Sequence, residues 1–195
     1  MTENAKNKQI IEDLEQIEKA KILGIRKRYY HVSLDNFIAK TPSQIEAKQA
    51  VKKIFGDLRD QLLIISGPSR VGKTLLICAG LLMLNIDLQK FYIEEIFFYI
   101  TMPWLAIRIR SIHSSNATHE TEYDALAKLS QAPILVIDDV GRSGDIKAEQ
   151  VWINYLVLER QANLLPTILV TNEFPVTSLN ESIISRATKI IGIEK

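Results

Sequence analysis

Residues 67–74 read Gly67-Pro68-Ser69-Arg70-Val71-Gly72-Lys73-Thr74, and this octet constrains the chain more than any other feature. A short apolar run, Leu62-Leu63-Ile64-Ile65, precedes it, and a longer one from Leu75 to Leu84 follows, within a segment from Lys73 to Leu84. The first reads as a buried strand and the second as a helix, so the octet is a strand-to-helix turn. Gly67 and Gly72 let the backbone curl and turn its N–H groups inward, and the following helix adds its positive N-terminal end. Such a turn cradles phosphates. Lys73 can reach the β- and γ-phosphates of a nucleoside triphosphate, and Thr74 can offer its hydroxyl to Mg²⁺. Pro68, Ser69, Arg70 and Val71 complete the turn and Leu75 follows it, making residues 67–75 the candidate nucleotide-binding set. Shuffled chains of this composition would contain the pattern about once in 400. A chance glycine turn with an exposed lysine would not require a strand before it and a helix after it.

The remaining sequence supplies the layers such a turn needs. Residues 4–23 carry Ile10, Ile11, Leu14, Ile17 and Ala20 at spacings of three and four, which predicts an amphipathic helix stopped at Gly24. A basic and aromatic stretch, Arg26 to His31, follows. Ser43, with Glu46 three residues on, reads as a capping box opening a second helix that runs to Phe55. Beyond the loop, strands are predicted at 97–101 (with 91–93 competing), 134–137, 167–170 and 189–193. Helices are predicted at 104–112, from the polar loop 114–118 to Leu129, and at 148–161. Short, wholly apolar strands separated by helices mean an α/β fold with a five-stranded parallel sheet sandwiched by helices.

Composition narrows the class. The 195 residues fit one domain with a short appendage, and a net charge of +1 argues against bulk electrostatic binding of nucleic acid. The lone Cys78 lies in an apolar run and excludes an internal disulfide or a multi-thiolate zinc site. His31, His113 and His119 lack metal-ligand spacing. No apolar run approaches the ~20 residues of a membrane span, and the N-terminus has no signal-peptide core. A cytoplasmic protein with no membrane partner is expected.

Three further motifs carry chemistry. Ile134-Leu135-Val136-Ile137 ends in Asp138-Asp139, which places two carboxylates at the sheet edge where ligands of open α/β sheets bind. Asp138 suits the Mg²⁺ shell, and Asp139 suits orienting and deprotonating an attacking water. Leu169-Val170-Thr171 ends in Asn172, which a parallel sheet would put beside Asp138. Arg186 precedes the last strand and could reach a neighbouring subunit's nucleotide. Each has a structural alternative: a capping Asp pair, a turn asparagine, a solvated arginine.

Together these residues resemble the AAA+ ATPases of the DnaC/IstB type, bacterial and phage helicase loaders and transposase helpers. The likeness spans roughly residues 22–193. It runs from Leu23-Gly24-Ile25-Arg26-Lys27-Arg28-Tyr29 and Leu34-Asp35-Asn36-Phe37 through the phosphate loop and Leu135 to Gly141. Leu158-Glu159-Arg160, Pro166 to Asn172 and Ser185-Arg186 complete it. The resemblance implies an AAA+ P-loop NTPase with Lys73 and Thr74 in the Walker A motif and Asp138 as the Walker B metal acid. It implies Asn172 as sensor 1 and Arg186 as an arginine finger. It also implies ATP and Mg²⁺ as ligands, a homo-oligomer with ATP between subunits, single-stranded DNA, and delivery of a DnaB-like replicative DNA helicase.

Three departures temper it. Asp139 stands where the family has Glu, which predicts slow hydrolysis. A C-terminal helical lid is not expected. No zinc-bearing domain is expected before the ATPase, and this weakens the transposase-helper alternative. The expected organisation is an N-terminal helical and basic segment, 1–30, that can hold the helicase or pack on its own domain, then an AAA+ domain, 31–195. Trp104, Arg108 and Arg110 are candidate DNA contacts, with a buried tryptophan and solvated arginines as the alternative. An ATP-gated scaffold with little turnover is the second functional class. A small-molecule kinase would leave Asn172 and Arg186 without roles.

Overall fold

A computed structural model of the chain describes residues 3–57, 61–84, 98–114, 120–173 and 176–194. Helix α1 (Glu3–Ile22) is followed by a single 3₁₀ turn (Lys27–Tyr29) and α2 (Pro42–Gly56). Alternation then begins: β1 (Leu62–Ser66), α3 (Lys73–Leu82), β2 (Tyr99–Thr101), α4 (Met102–Ser114), α5 (Glu122–Ser130) and β3 (Leu135–Val140). The chain closes with α6 (Ile146–Ala162), β4 (Thr167–Thr171), α7 (Glu181–Ile184) and β5 (Lys189–Gly192). The competing strand at 91–93, the centre of the expected loop at 114–118 and His119 lie outside the described residues.

The five described strands form one parallel sheet in the order β2-β3-β4-β1-β5. Successive side chains of a strand point to opposite faces, and here both faces are apolar. Leu63, Ile65, Val136, Ile168, Val170 and Ile191 face a layer built by α2, α3 and the end of α1. Leu62, Ile64, Leu135, Ile137 and Leu169 face α4, α5 and α6. Helix α1 is split by this packing. Ala20 and Leu23 are fully buried, whereas Ile10, Ile11 and Leu14 are exposed. Lys19 fastens the helix by donating from Nζ to the carbonyls of Leu82 (2.8 Å) and Leu84 (2.5 Å) at the end of α3.

The α2 cap differs from the sequence expectation. Thr41, not Ser43, is the N-cap. Its hydroxyl accepts from Gln44 N at 3.2 Å, and Gln44 Oε1 accepts from Thr41 N at 3.3 Å. Pro42 explains the choice, since its fixed φ and missing N–H suit the first helical position and place the cap one residue earlier. Ser43 then serves the tertiary structure, its Oγ accepting from Glu194 N at 3.2 Å.

Arg160 on α6 is fully buried. Its Nε donates to Thr167 Oγ1 (2.9 Å), Nη2 to Pro166 O (2.6 Å), and Nη1 to the carbonyls of Ala132 (2.7 Å), Ser130 (3.1 Å) and Leu129 (3.3 Å). One guanidinium thereby ties α6 to the end of α5 and to the start of β4, and satisfies carbonyls that the core shuts off from water. Replacing Arg160 with Met strands those carbonyls. We expect a loss of about 3 kcal/mol in urea unfolding, and a loss under about 1 kcal/mol would mean water replaces the guanidinium without cost.

Candidate functional site

The parallel register decides which residues meet. Thr101 lies opposite Asp138, Ile137 opposite Leu169, and Ile65 opposite Val170. The strand tips of β1, β3 and β4 thus end at one edge, and residues 67–74, Asp138–Asp139 and Asn172 extend from them. The loop backbone needs its glycines here. Gly67 has φ +139°, and a Cβ on it would run into the backbone of Ile193; Gly72 has φ +97°, with the Phe37 ring 3.0 Å from where a Cβ would stand.

Lys73 is buried. Its Nζ donates to Gly67 O (2.7 Å), Pro68 O (2.8 Å) and Asn172 Oδ1 (2.8 Å). Burial pulls its ammonium below the ordinary lysine value, with the charges of Asp138 and Asp139 acting in the opposite direction. Asp138, also buried, accepts at Oδ2 from Thr74 Oγ1 and from Tyr99 Oη, both at 2.8 Å, and at Oδ1 from Asp139 N at 2.8 Å. Burial pushes its carboxyl above the usual carboxylate range, against the pull of the two hydroxyl hydrogen bonds.

Asp139 has φ +56°, at an irregularity in the β3–β4 pairing between Ile137 and Val140. The left-handed backbone turns its side chain away from the strand's alternation, and Asn172 Nδ2 donates to Asp139 Oδ1 at 3.4 Å. Arg28, Tyr29, Ser69, Arg70, Gly72, Lys73, Thr74, Leu75, Asp139 and Asn172 enclose an open cavity of ≈ 360 Å³. Pro68 and Val71 belong to the same turn, with Val71 packed into the core beneath it.

Mg²⁺ favours oxygen ligands, few carboxylates and retained water. The Thr74 hydroxyl and the Asp138 carboxylate are that kind of pair, and they stand beside a cavity whose lining includes Arg28, Arg70 and Lys73. The residues present therefore suit a magnesium–polyphosphate complex.

Arg186 does not join this cluster. It lies exposed just after α7, its Nη1 donating to Gln161 Oε1 at 3.4 Å. Trp104 and Arg108 share a face of α4, the guanidinium 5.7 Å from the ring centroid. Arg108 also donates to both oxygens of Glu120 (2.9 and 3.0 Å). Arg110 points elsewhere, to Ser143 O at 3.5 Å.

Sequence reasoning missed two supports. Tyr99 holds the outer oxygen of Asp138; burial and the Asp138 charge push its phenol up, so it remains a donor. Its signal was its position two residues before Thr101, opposite the acidic strand tip. Glu149 is fully buried and accepts from Gly141 N and from Ser143 N (3.1 Å), which fixes the loop after β3. Its signal was an acid on the helix face that also carries Trp152, Ile153, Leu156 and Val157.

The parallel sheet and its helical layers have the fold of AAA+ P-loop NTPases. The chain is 28% identical over 156 residues to the replicative helicase loader DnaC of Escherichia coli strain K12, covering 76% of the chain and 58% of that relative. Less than two thirds of the curated relative's length is therefore represented. A crystal structure of the DnaC helicase loader superposes with a TM-score of 0.65 at 23% identity, covering 86% of this chain and 99% of that one. A replication initiator DnaA bound to AMPPCP and single-stranded DNA superposes with a TM-score of 0.63 at 18% identity, covering 87% and 50%. No family model matches the chain. The resemblance to DnaC-type AAA+ proteins holds in sequence and in fold. No helix among the described residues is long and apolar enough to cross a membrane.

The raised Asp138 carboxyl has a measurable consequence. A carboxyl held above its unfolded value costs stability once both states are ionised, and the cost disappears as pH falls through the carboxylate range. Asp138→Asn should therefore raise the melting temperature of the nucleotide-free protein at about pH 7, and the gain should vanish by about pH 4. A variant that melts below wild type at neutral pH would mean that the three hydrogen bonds to Asp138 outweigh its burial.

Proposed function

We propose that this chain is an ATP-dependent helicase-loader-type AAA+ ATPase. The observation that carries the reading is the hydrogen-bonded chain from Lys73 through Asn172 and Asp139 to Asp138 and Thr74, beside a cavity of polyphosphate size. Likeness to a replicative helicase loader over 76% of the chain supports the cellular role.

In this reading residues 67–75 bind ATP, with Lys73 on the β- and γ-phosphates. Thr74 and Asp138 would hold Mg²⁺, which neutralises phosphate charge. Asp139 takes a proton from the attacking water, and Asn172 orients that water. Arg186, exposed and remote from its own cavity, acts in trans on the nucleotide of a neighbouring copy and makes the active form an oligomer. Residues 31–195 form the ATPase. Within 1–30, the exposed Ile10, Ile11 and Leu14 suit a grip on a DnaB-like replicative helicase. Single-stranded DNA is met on the assembled copies, with Trp104, Arg108 and Arg110 as contacts. Because Glu120 already engages Arg108, its gain on meeting phosphate is reduced.

One observation favours a second reading, an ATP-gated scaffold. The short Asp139 side chain sits on left-handed backbone and is engaged by Asn172, which limits its reach toward a water. An IstB-like transposase helper shares the same nucleotide chemistry and differs only in partner.

Light scattering coupled to size exclusion tests the reading. With ATP, Mg²⁺ and a single-stranded oligonucleotide the protein should grow into a larger assembly, and Arg186→Ala should stay small while binding ATP normally. Normal assembly and turnover by Arg186→Ala would remove the trans role. Lys73→Ala should lose ATP binding; affinity unchanged in that variant would sink the nucleotide site. Asp139→Glu should raise turnover, and no gain would mean that reach does not limit the reaction.

A further inference from the structure

Between α1 and α2 the chain wraps around the phosphate loop. It begins at the β2 side, where Gly24 packs on the backbone carbonyl of Tyr99. It ends at the β5 side, where the Phe37 ring packs on Gly72 and Ser43 Oγ accepts from Glu194 N. Between these ends Arg28 and Tyr29 line the cavity beside Thr74 and Leu75. Since β2 pairs with β3, this is the flank on which Asp138 and Asp139 stand.

Arg28 is pre-positioned rather than loose. Its guanidinium lies over the Tyr29 ring, 4.6 Å from the centroid, and Tyr29 is half-buried against the core. The 3₁₀ turn is held by Tyr29 N donating to Arg26 O (2.9 Å) and by Gln16 Nε2 donating to Tyr30 O (2.7 Å). No carboxylate pairs with Arg28 among the described residues. The cavity walls carry Arg28, Arg70 and Lys73 against Asp139, an excess of positive charge matched to a polyphosphate.

We infer that Arg28 is a same-chain arginine for the terminal phosphate of a bound nucleoside triphosphate, so that it discriminates triphosphate from diphosphate. Arg28 is held on Tyr29 at the cavity wall, and its planar fork of donors suits phosphate oxygens. Its place on the acidic flank sets it at the γ end, while Lys73 serves the β–γ junction. The inference rests on the nucleotide site proposed above.

Calorimetric titration of the full chain with ATPγS and with ADP, both with Mg²⁺, tests it. Arg28→Gln should weaken ATPγS on the order of tenfold and ADP less than about twofold. Lys27→Gln removes the same charge from the exposed neighbouring residue and should change neither by more than about twofold. An Arg28→Gln variant that binds ATPγS as wild type does, or that loses ATPγS and ADP affinity equally, overturns the assignment. Lys73→Ala in the same series separates the two levels. Retained binding there refutes the nucleotide site itself, whereas lost binding there with an unaffected Arg28→Gln refutes only the role of Arg28.

Discussion

Lys73 brings a positive charge into the interior and meets only neutral oxygens: two loop carbonyls and the amide oxygen of Asn172. A few ångströms of structure away, Asp138 brings in a negative charge and is met only by neutral donors, two hydroxyls and a backbone N–H. The opposite charges do not collapse onto each other, because each is saturated by partners that the fold holds rigidly. Both pay for burial, which shows as a lowered ammonium and a raised carboxyl. A site in this condition gains when a polyanion with its own cation is inserted, since each buried charge then acquires a counter-charge without the protein reorganising. The glycine loop, the parallel register and the buried Tyr99 all maintain that separation.

The same logic explains which parts of the molecule were legible in the sequence. The strands read as continuous apolar runs because both sheet faces are covered, and the loop read clearly because close backbone approach at Gly67 and positive φ at both Gly67 and Gly72 favour glycine. Once the sheet was known to be parallel, Asn172 had to stand near the acids. Tyr99 and Glu149 were hidden because a buried polar side chain is chosen by a partner distant in sequence: Asp138 for the first, the Gly141 and Ser143 amides for the second. Periodicity cannot report such pairings. The α2 cap was misplaced for a local reason, two overlapping candidate boxes, decided by Pro42 and by the demand of Glu194 N on Ser43.

Asp139 marks where the strand gives up regularity for geometry. A left-handed aspartate at a pairing irregularity costs about 1–3 kcal/mol and persists only if its surroundings over-determine it. They do so from both sides. Asp139 N is held by Asp138 Oδ1, and the chain just beyond is held by Glu149 through Gly141 N and Ser143 N. A buried carboxylate on α6 therefore supports the backbone that brings a half-buried one, Asp139, to the cavity. Strain of this kind fixes direction well but leaves reach to the length of the side chain, and here that side chain is one methylene shorter than a glutamate.

The N-terminal third of the chain is bound into the same arrangement. Ala20, Leu23 and Ile25 lie in the apolar layer beneath α3, and Lys19 caps the end of that helix. The helix whose first turn holds Lys73 and Thr74 is thus clamped at its far end by α1 and beside its start by the 3₁₀ turn. The end of α1 packs beneath α3, whereas Ile10, Ile11 and Leu14 nearer its start are exposed apolar side chains without a partner among the described residues. One helix thus joins the layer that supports the loop to an exposed apolar surface some turns away.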